Sequence, residues 1–352
     1  MRIVVVGAGY AGTFAANRAA RKIRGAEVTV VNARPEFVER IRLHQQVAGT
    51  AEAATPLGAM LRPGIATRIG TVEKVGDGTV LLGDGESIGY DRLFLAVGST
   101  VRALPGTVPV GTWEGARQAR AALAALPAGS TVTVAGGGAT GLETATEVAE
   151  ARPDLRVRIV APSVADCLSG GARRRALAAL DRLRIEVVDD GVEEAAAGVV
   201  RLRSGREAGS DLTLWAIVAG VPDLAARSGL DVDAGGRIVV DACLRSVTDR
   251  HVFAVGDCAG VPGTRFGCQT AHPQAKAAVD ALARLERGRA PEPYTPRYVA
   301  RCVSLGRADA VAQFTHPDDS LRDGYLGGGA AMAFKKIVYV GTKYSTRKAV
   351  GA

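Results

Sequence analysis

Two glycine-rich turns point most directly to chemistry: Gly7-Ala8-Gly9-Tyr10-Ala11-Gly12 and Gly136-Gly137-Gly138-Ala139-Thr140-Gly141. In a G-x-G-x-x-G turn the first glycine permits a tight bend and the second lets backbone approach a pyrophosphate. The third lets the following helix pack closely on its strand. The helix that opens there offers unpaired N–H groups and a positive dipole end to phosphates. Those donors are Tyr10 and Ala11 in the first copy, Ala139 and Thr140 in the second. One copy is weak evidence. Two copies imply two dinucleotides, whose reacting rings must face each other.

The acidic residue that usually follows such a unit and bonds the ribose 2′-hydroxyl is missing from both. Asn32 takes that place in the first unit, where its amide still suits ribose hydroxyls. In the second the place falls to Ala161-Pro162-Ser163, with Asp166 slightly later and Arg173-Arg174-Arg175 beyond. Without a carboxylate nothing repels a 2′-phosphate, so NADH and NADPH stay equally open, and the arginines suit either a phosphate or a solvated helix face.

The elements around these residues supply the context that the turns require. Residues 2–6 read as a buried strand, 10–24 as a helix and 27–31 as the next strand. The order recurs with strands at 131–134 and 157–160 around a helix at 140–151. Ala16 and Ala145, four residues past the last glycine of each copy, keep each helix close to its sheet. Residues 70–82 alternate around Gly76-Asp77-Gly78 as a hairpin, 93–98 read as a buried parallel strand, and 115–126 as a helix. Strands at 199–204, 212–216 and 252–257 precede a helix at 273–287, and 291–352 reads as a small appended element.

Composition narrows the classes. A chain of 352 residues, 47% hydrophobic, has room for two or three domains. Met1 leads straight into the first strand without a targeting leader, so a cytoplasmic location is expected. The net charge is +8, but the arginines are scattered and only 5% of residues are aromatic, which argues against nucleic acid. Cys167, Cys243, Cys258, Cys268 and Cys302 form no C-x-x-C pair, so neither a disulfide scaffold nor a metal site is expected. Tyr325–Phe334, broken by three glycines, is too short to span a bilayer. Residues 335–352 carry five basic and no acidic side chains, which reads as a disordered tail or, at most, a peripheral contact with an anionic membrane.

The paired turns, together with Asp91-Arg92-Leu93-Phe94-Leu95-Ala96-Val97-Gly98-Ser99 and Val252-Phe253-Ala254-Val255-Gly256-Asp257-Cys258-Ala259, resemble the two-dinucleotide-binding-domain flavoproteins over about residues 1–315. Within them, Ala135–Glu143 resembles the type II NADH dehydrogenases and their soluble relatives, in the pyridine nucleotide-disulfide oxidoreductase superfamily. The closely spaced redox cysteines of the disulfide reductases are absent. The resemblance implies an α/β fold of two Rossmann-like domains, the second inserted in the first. FAD would occupy 1–112 with 240–295, NAD(P)H would occupy 113–239, and 296–352 would be a small C-terminal element.

On the FAD side it implies Gly7, Gly9, Tyr10, Ala11, Gly12, Asn32, Arg40 or Arg42, Val72, Gly98, Gly256, Asp257, Gln269 and Thr270, with Asp257 on the ribityl chain. On the nicotinamide side it implies Gly136, Gly138, Ala139, Thr140, Gly141, Gly220 and Glu143, the last near the nicotinamide or else an ordinary helix carboxylate. His44 reads equally well as a core histidine, and Cys258 and Cys268 as buried inert thiols. Gln269 and Gln274 match glutamines of a helix that starts against the flavin and lines a quinone site; Pro273 departs from that motif and leaves the acceptor open. The likeness of His272-Pro273 to a disulfide-reductase histidine motif reads as accidental.

The implied activity is hydride transfer from the nicotinamide to flavin N5 and onward to a quinone or other small acceptor, with no general acid or base assigned and no metal. A ferredoxin-type partner protein and a redox-dependent flavin-holding interaction protein are the alternatives. A homodimer is open.

Overall fold

The computed structural model describes residues 1–218 and 220–350. Arg2–Val6, a run of β-branched residues, lies at the centre of a five-stranded parallel sheet. Its neighbours are Glu27–Asn32 and Arg92–Leu95, with Ala66–Ile69 and Val252–Ala254 at the edges. Val4 pairs with Thr29 on one side and Leu93 on the other. Ile3, Val5 and Phe94 are fully buried, as strands covered on both faces require. The helix Tyr10–Lys22 packs on this sheet through Phe14, Ala15, Ala16 and Ala19, none of them accessible to solvent.

A second five-stranded parallel sheet repeats the plan, with Thr131–Ala135 between Arg156–Val160 and Leu212–Trp215. Val108–Pro109 pairs with Leu214 and Trp215 in this second sheet, although the sequence boundary at 112 puts it with the first. The helix Ala139–Ala151 covers the sheet with Leu142 and Ala145 fully buried. Each unit also carries a three-stranded antiparallel sheet, Val72–Gly89 in one and Val192–Ser210 in the other.

The helix expected at 273–287 runs from Cys268 to Leu285 and contains Pro273. The ring removes one backbone hydrogen bond near the amino end, and the rest of the helix is held by ten buried residues, Ala275 and Val279 among them.

The carboxy-terminal region departs furthest from expectation. Ala300–Ser304, Ala310–Thr315 and Leu321–Gly327 form an antiparallel sheet, followed by a helix from Gly328 to Lys348. The basic stretch read as a disordered tail is therefore helical as far as Lys348, and its last two residues lie outside the described residues. The successive glycines cap and open this helix instead of interrupting it. It is anchored from the far end of the sequence: Asn17 Nδ2 donates to Thr346 O at 3.0 Å, and His272 Nε2 lies 2.7 Å from Thr346 Oγ1. Among the described residues no helix is long and apolar enough to cross a membrane.

Candidate active site

The two glycine turns are nearly superimposable in their constraints. Gly7 N donates to Val31 O at 2.8 Å and Gly136 N to Val160 O at 2.9 Å, so each turn is tied to the strand beyond its helix. A Cβ on Gly12 would sit 1.8 Å from Gly7 O, and one on Gly141 the same distance from Gly136 O. Gly7 has φ +95° and its Cβ would meet Ala96 O at 2.4 Å, so only glycine serves there. A Cβ on Gly9 or Gly138, by contrast, would meet nothing within 4 Å. The middle glycine of each turn faces open space, and neither following helix has a side-chain cap on its first N–H groups. Both turns thus have the room and the donors that a pyrophosphate needs.

One cavity of about 660 Å³ joins them. Gly9, Tyr10 and Ala11 line it from the first turn, Ala139 and Thr140 from the second. Between the turns, Asp257 Oδ2 accepts from Ser99 Oγ at 2.7 Å, Asp257 Oδ1 accepts from Gly267 N at 2.9 Å, and Arg40 Nη1 lies 3.9 Å away. A carboxylate held this way has lone pairs left for hydroxyl donors. Gln274 Oε1 accepts from Gly256 N at 2.6 Å and locks this loop onto the helix Cys268–Leu285.

Next to the second turn lies a buried ionic cluster. Glu143, 9% exposed, accepts a close hydrogen bond from Lys335 Nζ and one of 3.1 Å from Ser304 N. Lys335 Nζ also donates to Ser304 Oγ at 2.9 Å, and His44 Nδ1 is 3.5 Å from Glu143 Oε2. Burial alone would raise the Glu143 carboxyl; the Lys335 ammonium, with His44 and the Ser304 N–H, overcomes it and holds the group below the usual carboxylate range. Burial lowers His44 to about 4, so its imidazole is neutral at physiological pH.

The sequence candidates divide accordingly. Gly9, Tyr10, Ala11, Arg40, Gly98, Gly256, Asp257, Gln269, Ala139, Thr140 and Glu143 line the cavity. Arg42 does not: it is committed to Glu39 at 3.3 Å, Gln45 at 2.9 Å and the face of Tyr339. Val72 is buried in its hairpin, Thr270 is buried under the helix start, and Gly220 bridges to Thr100; none of the three lines the cavity. Asn32 secures the first turn, its Oδ1 accepting from Ala8 N at 3.0 Å and its Nδ2 donating to Arg34 O at 2.7 Å, which leaves one amide hydrogen and one lone pair for a ribose.

The Gln269 amide, oriented to satisfy both ends, donates to Ala300 O at 3.1 Å and accepts from Val299 N at 2.8 Å. Burial pushes the Cys258 and Cys268 thiols up to about 11, and all five cysteines are free. His272 is stacked on Phe14 at 4.9 Å and stays neutral, a packing role. Sequence reading missed Ser99, Ser304 and Lys335. Ser99 closes the family-like segment Asp91–Ser99 without any mark of its own role, no local signal marks Ser304, and Lys335 hides in a basic run whose other members face solvent or distant carboxylates.

Two glycine-turn units that open onto one cavity, with a carboxylate loop between them, define a two-nucleotide oxidoreductase. Residues 1–281 match the pyridine nucleotide-disulphide oxidoreductase family, and the chain belongs to it. An NADH dehydrogenase-like protein of Mycobacterium tuberculosis is 32% identical over 292 residues, covering 73% of this chain and 72% of that one. A rubredoxin-NAD(+) reductase of Pseudomonas putida is 28% identical over 297 residues, covering 76% and 74%. In fold the chain is similar to the NDH2 of Plasmodium falciparum solved with NADH (TM-score 0.82, 15% identity, covering 99% of this chain and 96% of that one). It is also similar to the sulfide:quinone oxidoreductase of Aquifex aeolicus (TM-score 0.81, 18% identity, covering 99% and 92%). The protein is an FAD-dependent NAD(P)H oxidoreductase.

Proposed function

We propose that FAD is held by the first turn, with its phosphates at the Tyr10 and Ala11 N–H groups and its ribityl hydroxyls at Asp257. NAD(P)H is held by the second turn at Ala139 and Thr140. The observation that carries this reading is the single cavity that both turns line. In this reading residues 1–112 with 240–295 serve the flavin, apart from Val108–Pro109, which pairs in the second sheet; 113–239 serve the nicotinamide, and 296–352 wall the cavity. A flavin held there would supply the two-electron chemistry between a nicotinamide at the second turn and the acceptor. The chain's own part is to position the two rings, exclude water and hold charge. Arg40 and Ser99 fix the Asp257 carboxylate in place for that purpose.

The acceptor is a small, flat, apolar molecule such as a quinone. Phe334, Val338 and Tyr339 of the last helix and Pro273 line one side of the cavity and suit such a ring. NADPH is accepted as well as NADH, because Ala161 leaves no carboxylate against a 2′-phosphate. A cytoplasmic location is supported by the five unpaired thiols.

Anaerobic stopped flow with each nicotinamide tests the reading. Rapid bleaching of bound flavin is expected, followed by reoxidation on adding a water-soluble quinone. A flavin that neither nucleotide bleaches overturns it. Reoxidation by rubredoxin or ferredoxin and not by quinone replaces the small acceptor with a protein.

A further inference from the structure

The charged side chains that line the large cavity, among the described residues, are Arg40, Glu143, Asp257, Arg265, Arg301 and Lys335. Arg40 is balanced by Asp257 and Lys335 by Glu143. The other two are both cations, and they share one carboxylate: Asp319 Oδ2 accepts from Arg265 Nε and, at 2.8 Å, from Arg301 Nη2. Burial alone would raise the Asp319 carboxyl; the two guanidiniums overcome it and hold the group below the usual carboxylate range, so it is ionised. One positive charge is therefore left over at this end of the cavity.

The two guanidiniums are held in place before any ligand arrives. Asp319 lies in the turn between Ala310–Thr315 and Leu321–Gly327 with φ +71°, a left-handed backbone that aspartate tolerates. Arg265 N donates to Tyr298 Oη at 3.0 Å, and the Arg265 guanidinium lies 5.0 Å from the centre of the Tyr298 ring. Its Nε and Nη2 are committed to Asp319, which leaves the hydrogens of Nη1 for a ligand. Gly267 keeps that space open, since a Cβ there would come 3.0 Å from Nη1. Arg301 Nη1 donates to Cys167 O at 3.0 Å. Cys167 belongs to the loop that follows Arg156–Val160, the strand end at which a unit of this kind reads its ribose.

The arginines of the second unit itself are engaged elsewhere. Arg175 is paired with Asp309 at 2.9 Å, Arg173 Nε holds Val164 O at 2.9 Å, and Arg174 faces solvent. We infer that Arg265 and Arg301 clamp a phosphate of the second nucleotide, a conclusion that rests on the place proposed above for NAD(P)H. Both the 2′-phosphate of NADPH and the pyrophosphate common to the two nucleotides offer the oxygens that a planar guanidinium matches. The nucleotide is then gripped from two sides, by the N–H groups of the second turn and by cations from the C-terminal sheet and the segment before the helix Cys268–Leu285.

The test titrates the FAD-loaded protein with 2′,5′-ADP and with ADP-ribose, which lacks the 2′-phosphate. Arg265→Gln is expected to weaken binding about tenfold, the loss of a charge-assisted hydrogen bond. A loss with 2′,5′-ADP alone assigns the clamp to the 2′-phosphate, and a loss that includes ADP-ribose assigns it to the pyrophosphate. Saturating NAD(P)H should still bleach the flavin at the wild-type limiting rate, so the change falls on KM and not on kcat.

Asp319→Asn gives the opposite sign. It removes the negative charge that the two arginines share and should tighten the same ligand roughly threefold. A cluster that merely braced two loops would be loosened by this change, and binding would weaken. The variant also keeps the idea testable where Arg265→Gln fails to fold. Affinities of Arg265→Gln within about twofold of wild type for both ligands overturn the clamp, as does weaker binding in Asp319→Asn. A wild-type protein that binds neither ligand and is not bleached by NAD(P)H overturns the underlying reading instead.

Discussion

The two glycine-turn units share a backbone and differ in what stands at the end of their second strand. In the first, a side chain clamps the turn: Asn32 bonds Ala8 N on one side and Arg34 O on the other. In the second, the loop after the strand clamps it with backbone, Ala165 N donating to Gly137 O at 2.9 Å, while Arg173 Nε holds Val164 O at 2.9 Å. Sterics dictate the turn, which leaves little freedom for variation. The strand end is free to vary, and there the two units differ.

The largest expected effect separates the two sites outright. A Cβ at Gly9 or Gly138 meets nothing within 4 Å, so aspartate there would put a negative charge where the proposed phosphates would sit. Gly9→Asp should purify colourless. Gly138→Asp should stay yellow but bleach with NAD(P)H at least roughly 100-fold more slowly, about 2.7 kcal/mol. Equal flavin loss in both would erase the distinction between the units. Next comes the shared steric constraint: Gly12→Ala and Gly141→Ala both force a methyl into a carbonyl oxygen, and each should cost about 3 kcal/mol in urea unfolding. A neutral result at either position breaks the equivalence of the turns.

Acid should then find the first unit weaker. Burial holds His44 and His272 at about 4, against about 6.5 when unfolded. The folded state therefore binds fewer protons between those values, so the stability is complete above about pH 6.5 and falls as pH drops toward 4. Residues 108–215 contain no histidine. Between pH 7.5 and pH 5 each imidazole should remove about 2 kcal/mol. His272 is stacked on Phe14 in the first core, whereas His44 sits on a helix that packs against the second unit and faces Glu143. Hydrogen exchange should therefore show the helices Tyr10–Lys22 and Cys268–Leu285 loosening first, with His272→Gln relieving that part of the loss. The smallest effect sharpens the strand-end argument: Ala161→Asp should shift the ratio of NADPH to NADH affinity several-fold toward NADH, and Arg173→Ala less so, in titrations with 2′,5′-ADP and 5′-AMP.

What was legible in the sequence was local. The strands at 2–6 and 131–135 and the helices after them announce themselves through β-branched runs and glycines whose constraints act within six residues. Asp257 was legible through the loop it ends. The partners of Glu143 were not, because Lys335 and Ser304 reach it across more than 150 residues, and their basic and polar types also suit an exposed surface. Arg42 looked as suitable as Arg40 because the two stand two residues apart in one short 3₁₀ turn, and only their distant partners separate them: Ser99 for Arg40, Glu39, Gln45 and Tyr339 for Arg42.

The grip of Asn17 on the carbonyl of Thr346 also bears on how the molecule is made. The second sheet draws all its strands from residues 108–188 and 212–215, so it can close while the rest of the chain is still being synthesised. The first unit begins earlier yet finishes later. Its edge strand at 252–254 and the helix that seals its first helix at 328–348 arrive only after the second unit exists. During synthesis, the half of the protein that starts first is thus the half that waits, with the surface of its first helix uncovered until the chain returns to it.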